Sequence, residues 1–181
     1  MTGFSHRIAT EADIPAIAAL MARAIDRLQD AFLSPAQVAA SKAVMGLDTQ
    51  LIADRTYMIV HDSDGALVGC GGWSRRATLY GGDHSASLRD GALLDPATDA
   101  ARIRAMYTDP ARARQGIGRL ILSVCEAAAR DAGYARAEMM ATLAGEPLYG
   151  ACGYSPIERI ETPGETPVPM VRMGKMLVSP S

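Results

Sequence analysis

One segment of the sequence decides the fold, and it reads Tyr107-Thr108-Asp109-Pro110-Ala111-Arg112-Ala113-Arg114-Gln115-Gly116-Ile117-Gly118-Arg119-Leu120. The residues before Asp109-Pro110 predict a strand over 102–108, which the proline ends. Behind Gly116, apolar residues recur at helical spacing, which predicts an amphipathic helix over residues 116–130. The segment is therefore a strand, a short basic turn with glycines, and the start of a helix.

This turn is suited to bind an anion. The first turn of a helix has amide N–H groups without intrahelical partners, and glycines keep side chains out of their way. The helix dipole stabilises an anion there by about 0.3–1 kcal/mol. Arg112, Arg114 and Arg119 add positive charge and charge-assisted hydrogen bonds. The combination favours a pyrophosphate group as the ligand.

Two common nucleotide-binding motifs do not match the turn. A Walker P-loop requires a lysine and a Ser or Thr after its last glycine, and neither follows Gly118. A Rossmann fingerprint requires a third glycine where this chain has Ile121. A plain strand, turn and helix with solvated arginines is the remaining structural alternative.

The segment resembles motif A of the GCN5-related N-acetyltransferase (GNAT) superfamily, commonly written Q/R-x-x-G-x-G/A after a strand. Gly116 and Gly118 match its glycines, Pro110 precedes Gly116 by six residues, and Ala113 replaces the Gln or Arg. The resemblance implies acetyl-CoA as the acyl donor, bound by two groups of residues. These are Met106, Tyr107 and Thr108 beside the pantetheine arm, and Arg114, Gln115, Gly116, Ile117, Gly118 and Arg119 around the pyrophosphate.

A second segment, residues 146–154, resembles the motif B ending F-Y-x-x-x-G-F of the same superfamily. Tyr149 stands where the family often has a tyrosine beside the thioester sulfur, and Gly153-Tyr154 opens the next strand. The resemblance makes Tyr149 the candidate general acid for the departing CoA thiolate. A tyrosine that only packs against pantetheine is the alternative.

The remaining pattern predicts a mixed α/β fold in one domain, residues 1–181. Strands are expected at 6–9, 56–60, 66–73, 102–108, 135–141, 153–160 and 168–178. Helices are expected from residue 10, over 34–45, over 116–130 and over 146–152, and residues 77–99 form a long loop. The resemblance implies a GNAT-like fold, a central mixed, mostly antiparallel sheet of about seven strands flanked by about four helices.

Composition narrows the class of protein. The net charge of -2 gives no basic surface for nucleic acid, and no apolar run is long enough to cross a bilayer. Three cysteines without CxxC spacing predict neither disulfides nor a metal site. With no signal-peptide core at the N-terminus, we expect a cytoplasmic protein.

The expected activity is transfer of an acetyl group to the amine of a small-molecule or peptide acceptor. The hairpin residues Trp73 and Arg75 are the acceptor-site candidates, although a lone tryptophan is more often part of a core. No general base is assigned, and the resemblance allows a homodimer. The alternatives are a non-catalytic acyl-CoA-binding or sensing module on the same fold and a small nucleotide-binding protein.

Overall fold

The computed structural model describes residues 3–28 and 31–178. Its seven strands are β1 (Ser5–Ile8), β2 (Tyr57–His61), β3 (Leu67–Ser74), β4 (Ala101–Thr108), β5 (Arg136–Thr142), β6 (Ser155–Glu161) and β7 (Pro169–Met176). Its five α-helices are α1 (Ile14–Leu28), α2 (Pro35–Ser41), α3 (Thr49–Ala53), α4 (Ile117–Asp131) and α5 (Glu146–Ala151). Short 3₁₀ turns occupy Glu11–Asp13, Ala86–Leu88 and Pro110–Arg112.

The strands form one sheet in the order β1-β2-β3-β4-β5-β7-β6. Every neighbouring pair is antiparallel except β4 and β5, which are parallel. The predicted seven-stranded, mostly antiparallel sheet is therefore confirmed, with each strand within two residues of its expected bounds. These boundary shifts are ordinary for strand ends that fray.

The helix prediction differs from the structure in two places. The sequence indicated about four helices, but the described chain has a fifth, α3, whose five residues are too few to show a helical period. The second helix was expected to reach Met45 and ends at Ser41, from which irregular turns continue to α3. Ser34 begins it as predicted, because its hydroxyl accepts the Gln37 N–H and Pro35 occupies the first helical position.

Two apolar cores cover the two faces of the sheet. On one face α1 buries Ile17 and Leu20 against Tyr57 and Ile59 of β2. On the other face α4 packs Ile121, Leu122 and Cys125 against β2, β3 and β4. The helices lie on opposite faces because successive strand residues point to opposite sides, and both faces of these strands are apolar.

The parallel pair β4 and β5 opens along its length. Its ladder contains only Ala101 opposite Ala137 and Arg102 opposite Glu138, and beyond these residues the two strands diverge. On its other side β4 has a bulge, at which Ala105 takes a left-handed φ of 49° and the register to β3 shifts. The Tyr57 hydroxyl donates a 2.7 Å hydrogen bond to the Ala105 carbonyl and so fixes the bulge from the core. The divergence and the bulge together leave a gap in the middle of the sheet.

Two glycines of β3 let α4 lie close to the sheet beside this gap. A Cβ on Gly69 would lie 2.4 Å from Cγ2 of Ile117, and one on Gly71 would lie 2.7 Å from Cγ2 of Ile121. Side-chain atoms do not tolerate such distances, so any larger residue would displace the first turns of α4. The glycines therefore set the position of the helix N-terminus.

Candidate active site

A cavity of about 800 Å³ occupies the gap between β4 and β5. It is lined by Ala24 and Ile25 of α1, on one face of the sheet, and by the first residues of α4, on the other face. The cavity therefore passes through the sheet and joins its two faces. Among the predicted site residues, those that line it are Met106, Tyr107, Thr108, Arg114, Gly116, Ile117, Gly118, Arg119 and Tyr149. Gln115 is exposed and does not line the cavity.

The turn before α4, residues 109–116, is fixed by local geometry. Asp109 accepts a 2.9 Å hydrogen bond from the Ala111 N–H, which begins the 3₁₀ turn, and an ion pair to Arg23 of α1 ties it down. The chain then reverses through left-handed conformations at Arg114, with a φ of 62°, and at Gly116, with a φ of 85°. Gly116 is the N-cap of α4, so the unpartnered amides of the first turn begin beside the cavity.

The arginines of this turn have different partners. Arg112 pairs with the buried Asp62 at 2.7 Å, so its charge is already compensated. Arg114 and Arg119 are exposed and form no ion pair with any residue that the structure describes. Of the three cations expected to contact an anion, the structure therefore leaves two uncommitted.

Gly118 has a role that its motif does not reveal. A Cβ there would lie 2.7 Å from Cδ2 of Leu148, so glycine is needed for α5 to pack on the first turn of α4. A Cβ on Gly145 would likewise lie 2.9 Å from Cε2 of Tyr149. Gly118 thus lets the Leu148 side chain of α5 approach α4, and Gly145 makes room for the Tyr149 ring, so residues of both sequence motifs line the same cavity.

Tyr149 lies half-buried in the cavity wall, with its ring edge-on to Tyr154 at 6.3 Å between centroids. Burial raises the pKa of the Tyr149 hydroxyl well above its usual value, with smaller contributions from Cys152 and Cys125. The hydroxyl has no hydrogen-bond partner within residues 3–28 and 31–178. It is therefore a protonated donor at neutral pH.

The opposite end of the cavity takes its wall from the long loop at residues 77–99. Arg104 of β4 is buried and donates to the carbonyls of Thr78, at 3.2 Å, and Gly81, at 2.8 Å. Those two carbonyls flank Leu79 and Tyr80, whose side chains line the cavity. The loop is therefore held in place from the strand beneath it, although its sequence shows no regular period.

Asp48 compensates the buried charge of Arg104. One oxygen of Asp48 accepts from Arg104 at 3.0 Å, and the other accepts from Arg89 and from the Gln50 N–H at the start of α3. Arg104 and Asp48 are 3% and 4% exposed. Desolvation lowers the pKa of Arg104 and is opposed chiefly by the charge of Asp48. The loop, α3 and β4 thus share one buried carboxylate.

The two predicted acceptor residues lie away from the cavity. Trp73 is 5% exposed, packs edge-on against Tyr134 at 6.0 Å and belongs to the core beneath α4. The exposed Arg75 covers the Trp73 ring, with its guanidinium carbon 5.3 Å from the ring centroid. Neither of these acceptor-site candidates is among the residues that line the cavity. The sequence did not single out Phe32, Val44 and Leu79, which do line the cavity.

No general base is found in the cavity wall, because none of the lining residues that the structure describes is Asp, Glu or His. Glu138 of β5 is held by Arg102 at 2.8 Å and by Arg172 at 2.5 Å, and it does not line the cavity. The described residues contain no cluster of His, Cys, Asp and Glu that could hold a metal ion. Within the same residues, no helix is long and apolar enough to cross a membrane.

The architecture is similar to that of solved acetyltransferases. A GCN5-related N-acetyltransferase from Rhodopseudomonas palustris is 18% identical over 97% of both chains, with a TM-score of 0.70. PaiA N-acetyltransferase from Thermoplasma acidophilum, solved in complex with coenzyme A, is 12% identical over 96% of this chain and 98% of its own, with a TM-score of 0.63. A histone acetyltransferase HPA2-related protein from Corynebacterium glutamicum is 20% identical over 100% and 99%, with a TM-score of 0.62. At these identities the likeness shows the fold.

The family is shown by sequence. No curated protein sequence matches the chain significantly. The sequence model of the Acetyltransferase (GNAT) family matches residues 19–154, which is more than half of the 181 residues and includes every described lining residue of the cavity except Met170. The strand, turn and helix around Gly116, the tyrosine on α5 and the divergent sheet lie together within this match, and the chain belongs to the GNAT acetyltransferase family.

Proposed function

We propose that the protein transfers an acetyl group from acetyl-CoA to the amine of a small-molecule or peptide acceptor. The acceptor attacks the thioester directly in a ternary complex. The observation that carries this proposal is the single cavity that joins the first turn of α4 to Tyr149 and continues through the sheet to the opposite face. A donor on one face and an acceptor on the other can meet there without a covalent enzyme intermediate.

The donor end of the cavity is formed by residues 106–119 and α5. The N-terminal amides of α4 and the uncommitted Arg114 and Arg119 bind the pyrophosphate. The edge of β4 from Met106 to Thr108 pairs with the extended pantetheine arm, because the ladder to β5 ends at Arg102. The donor is thereby directed towards the gap in the sheet.

Tyr149 protonates the departing CoA thiolate. The raised pKa of its hydroxyl keeps the proton on Tyr149 at neutral pH, so the hydroxyl can donate to the sulfur as the C–S bond breaks and negative charge develops there. Such proton transfer is generally worth about 10²–10⁴ in rate. Because the described lining has no carboxylate or imidazole, the acceptor loses its own proton to water.

Donor binding is tested by thermal unfolding of the protein with acetyl-CoA, free CoA, ATP or NAD. A ligand at a hundredfold excess over Kd stabilises the folded state by about 2.7 kcal/mol. We expect stabilisation by acetyl-CoA and CoA only. Equal stabilisation by ATP or NAD would assign the turn to nucleotides in general, and no response to CoA would refute the donor site.

The catalytic role is tested by Tyr149→Phe, which removes the hydroxyl and keeps the ring. We expect kcat to fall about 10²–10⁴-fold, with the Kd of CoA unchanged. Tyr154→Phe is the matched control, because Tyr154 touches the same ring, is buried and does not line the cavity. Unchanged turnover of Tyr149→Phe would instead favour a tyrosine that only packs against pantetheine.

A further inference from the structure

The end of the cavity away from α4, here termed the acceptor end, has apolar walls. It is formed by Ile25 of α1, Phe32, Val44 and the loop residues Leu79 and Tyr80. Phe32 is 50% exposed, which is unusual for a large apolar side chain. These residues come from three separate segments of the chain, and together they offer a surface that an apolar molecule would bury.

The charges at the acceptor end are all positive or already compensated. The charged residues among the described lining are Arg104, Arg114 and Arg119, and only Arg104 lies at this end. Asp48, the nearest carboxylate behind Arg104, accepts hydrogen bonds from Arg104 and Arg89 through its two oxygens. Both of its oxygens are therefore engaged, and the residue is only 4% exposed.

An ammonium group would therefore find no counter-ion among the lining residues that the structure describes at the acceptor end. Transfer of an unpaired cation from water into an apolar, partly enclosed site is strongly unfavourable. A polyamine brings a second ammonium into the cavity, and a lysine-rich peptide brings several. An acceptor with one amine and an apolar body brings no ammonium group into the cavity once that amine is neutral.

We infer that the acceptor is a small apolar monoamine that binds as the neutral free base; the inference rests on the proposed acetyl transfer. The walls select for an apolar body, and a described lining without a carboxylate selects against a second ammonium. Binding of the neutral amine also explains how the reaction proceeds without a carboxylate or imidazole in the described wall. The nitrogen lone pair attacks the carbonyl carbon to give a tetrahedral intermediate, and the nitrogen of this intermediate loses its extra proton to water. The C–S bond then breaks as the sulfur takes the Tyr149 proton, which leaves the amide product, and the tyrosinate regains a proton from water.

Two acceptors of matched shape test the inference, butylamine and 1,4-diaminobutane. They differ in the second amine, which is protonated at neutral pH. We expect acetylation of butylamine with a kcat/KM at least about 100-fold above that of the diamine. We also expect kcat/KM for butylamine to rise about tenfold per pH unit below the pKa of its amine, near 10. A diamine used equally well, or no transfer to butylamine, would overturn the inference.

A pair of variants at Leu79 tests whether the charge of the cavity wall determines the preference for a monoamine over a diamine. Leu79→Glu introduces a carboxylate at the acceptor end, and Leu79→Gln has the same size without the charge. We expect Leu79→Glu to raise kcat/KM for 1,4-diaminobutane at least about tenfold above Leu79→Gln, which keeps the preference for butylamine. Equal behaviour of the two variants towards the diamine would show that charge at this end does not select the acceptor.

Failure of the inference is distinguishable from failure of the proposed function. CoA-dependent stabilisation of the same samples reports the donor site independently of any acceptor. CoA binding together with transfer to a diamine or a lysine peptide, but not to butylamine, overturns the acceptor class and leaves acetyl transfer standing. Absence of CoA binding refutes both.

Discussion

The donor end of the cavity is built by one contiguous stretch of chain, whereas the acceptor end takes its walls from several distant segments. Residues 106–119 supply the strand edge, the turn and the helix N-terminus, and much of their binding capacity comes from the backbone. At the acceptor end, side chains such as Ile25, Val44 and Leu79 form the surface. In the proposed function the first end recognises a pyrophosphate and a pantetheine, while the second end can vary with the acceptor.

The two ends also differ in how their charges are used. At the donor end Arg114 and Arg119 are exposed and make no ion pair within the described residues, so they remain available to a ligand. At the acceptor end Arg104 and Arg89 share the buried Asp48, and these contacts fix the wall. The arginines of the donor end are thus free to bind the proposed ligand, whereas those of the acceptor end maintain structure. Substitution of these arginines at the donor end should consequently change the affinity for CoA, whereas loss of the ion pairs at the acceptor end should lower the unfolding free energy.

The largest effect is expected at the acceptor end, from Asp48→Asn. The change leaves the buried guanidinium of Arg104 without its carboxylate, which typically costs about 3–5 kcal/mol of unfolding free energy. Urea denaturation monitored by the single tryptophan, Trp73, measures it. Asp26→Asn is the control, because its pair with Lys42 is 55% exposed on both sides and should contribute only about 0.2–1 kcal/mol. Similar losses in both variants would mean that Asp48 does not hold the acceptor wall.

The same contrast between the two ends explains which parts of the site could be predicted from the sequence. The donor end was predictable because its strand, glycines and arginines are adjacent in the chain, so local spacing reports the local geometry. Arg112 shows the limit of this reasoning, since its partner Asp62 lies 50 residues earlier and removes it from the set of available cations. The strand order is likewise consistent with the pattern of hairpins, but the divergence of β4 and β5 is not visible in either strand alone.

The acceptor end was not predictable because its order depends on contacts between distant residues. Arg104 and Asp48 are 56 positions apart, and the loop that they hold shows neither helical nor strand periodicity. Trp73 attracted attention as the only tryptophan, yet the Tyr134 ring packs against it in the core. Helix α3 was missed for a related reason, since its five residues depend on capping by Asp48 and on packing of Leu51 and Ile52.

The next largest effect is expected where β3 packs against the first turn of α4, next to the donor end. Gly69→Ala places a methyl group 2.4 Å from Cγ2 of Ile117, and relieving this overlap should cost about 1–3 kcal/mol of stability. Because the first turn of α4 must move, we also expect weaker CoA binding by isothermal titration calorimetry. Gly91→Ala is the control, since its Cβ would meet no atom within 4 Å. Unchanged CoA affinity in a destabilised Gly69→Ala protein would show that the contact between β3 and α4 supports the fold but not CoA binding.

A smaller effect distinguishes a ligand-binding arginine from a structural one. Arg114→Gln removes an uncommitted charge beside the helix N-terminus, so we expect the Kd of CoA to rise about fivefold to tenfold, with less difference at high salt. Arg112→Gln is the matched comparison, because its partner Asp62 is only 4% exposed and is left without its cation. Arg112→Gln should lower the unfolding free energy and change the Kd of CoA little. The reverse pattern would contradict the assignment of the two arginines.

The smallest effect is a pH dependence at the acceptor end, where Asp54 of the α3 C-terminus pairs with Arg76 at the start of the 77–99 loop. The hydrogen bond from Arg76 is the main cause that lowers the pKa of Asp54 below its usual value, near 3.9. A lowered folded-state pKa means that the pair stabilises the protein above about pH 4, and that this contribution is lost as the pH falls through the folded pKa.

Asp54→Asn should therefore reduce the unfolding free energy at pH 7 by about 0.2–1 kcal/mol, because the pair is partly exposed. The difference from the unsubstituted protein should shrink as the pH is lowered below 4, which urea denaturation at a series of pH values measures. Adding Arg76→Gln to Asp54→Asn should cost little more if the two side chains act as one pair. An undiminished difference in acid would show that Asp54 holds the loop through its neutral contacts, such as the one with Gln50, and that the charge of this pair is not what orders the acceptor wall.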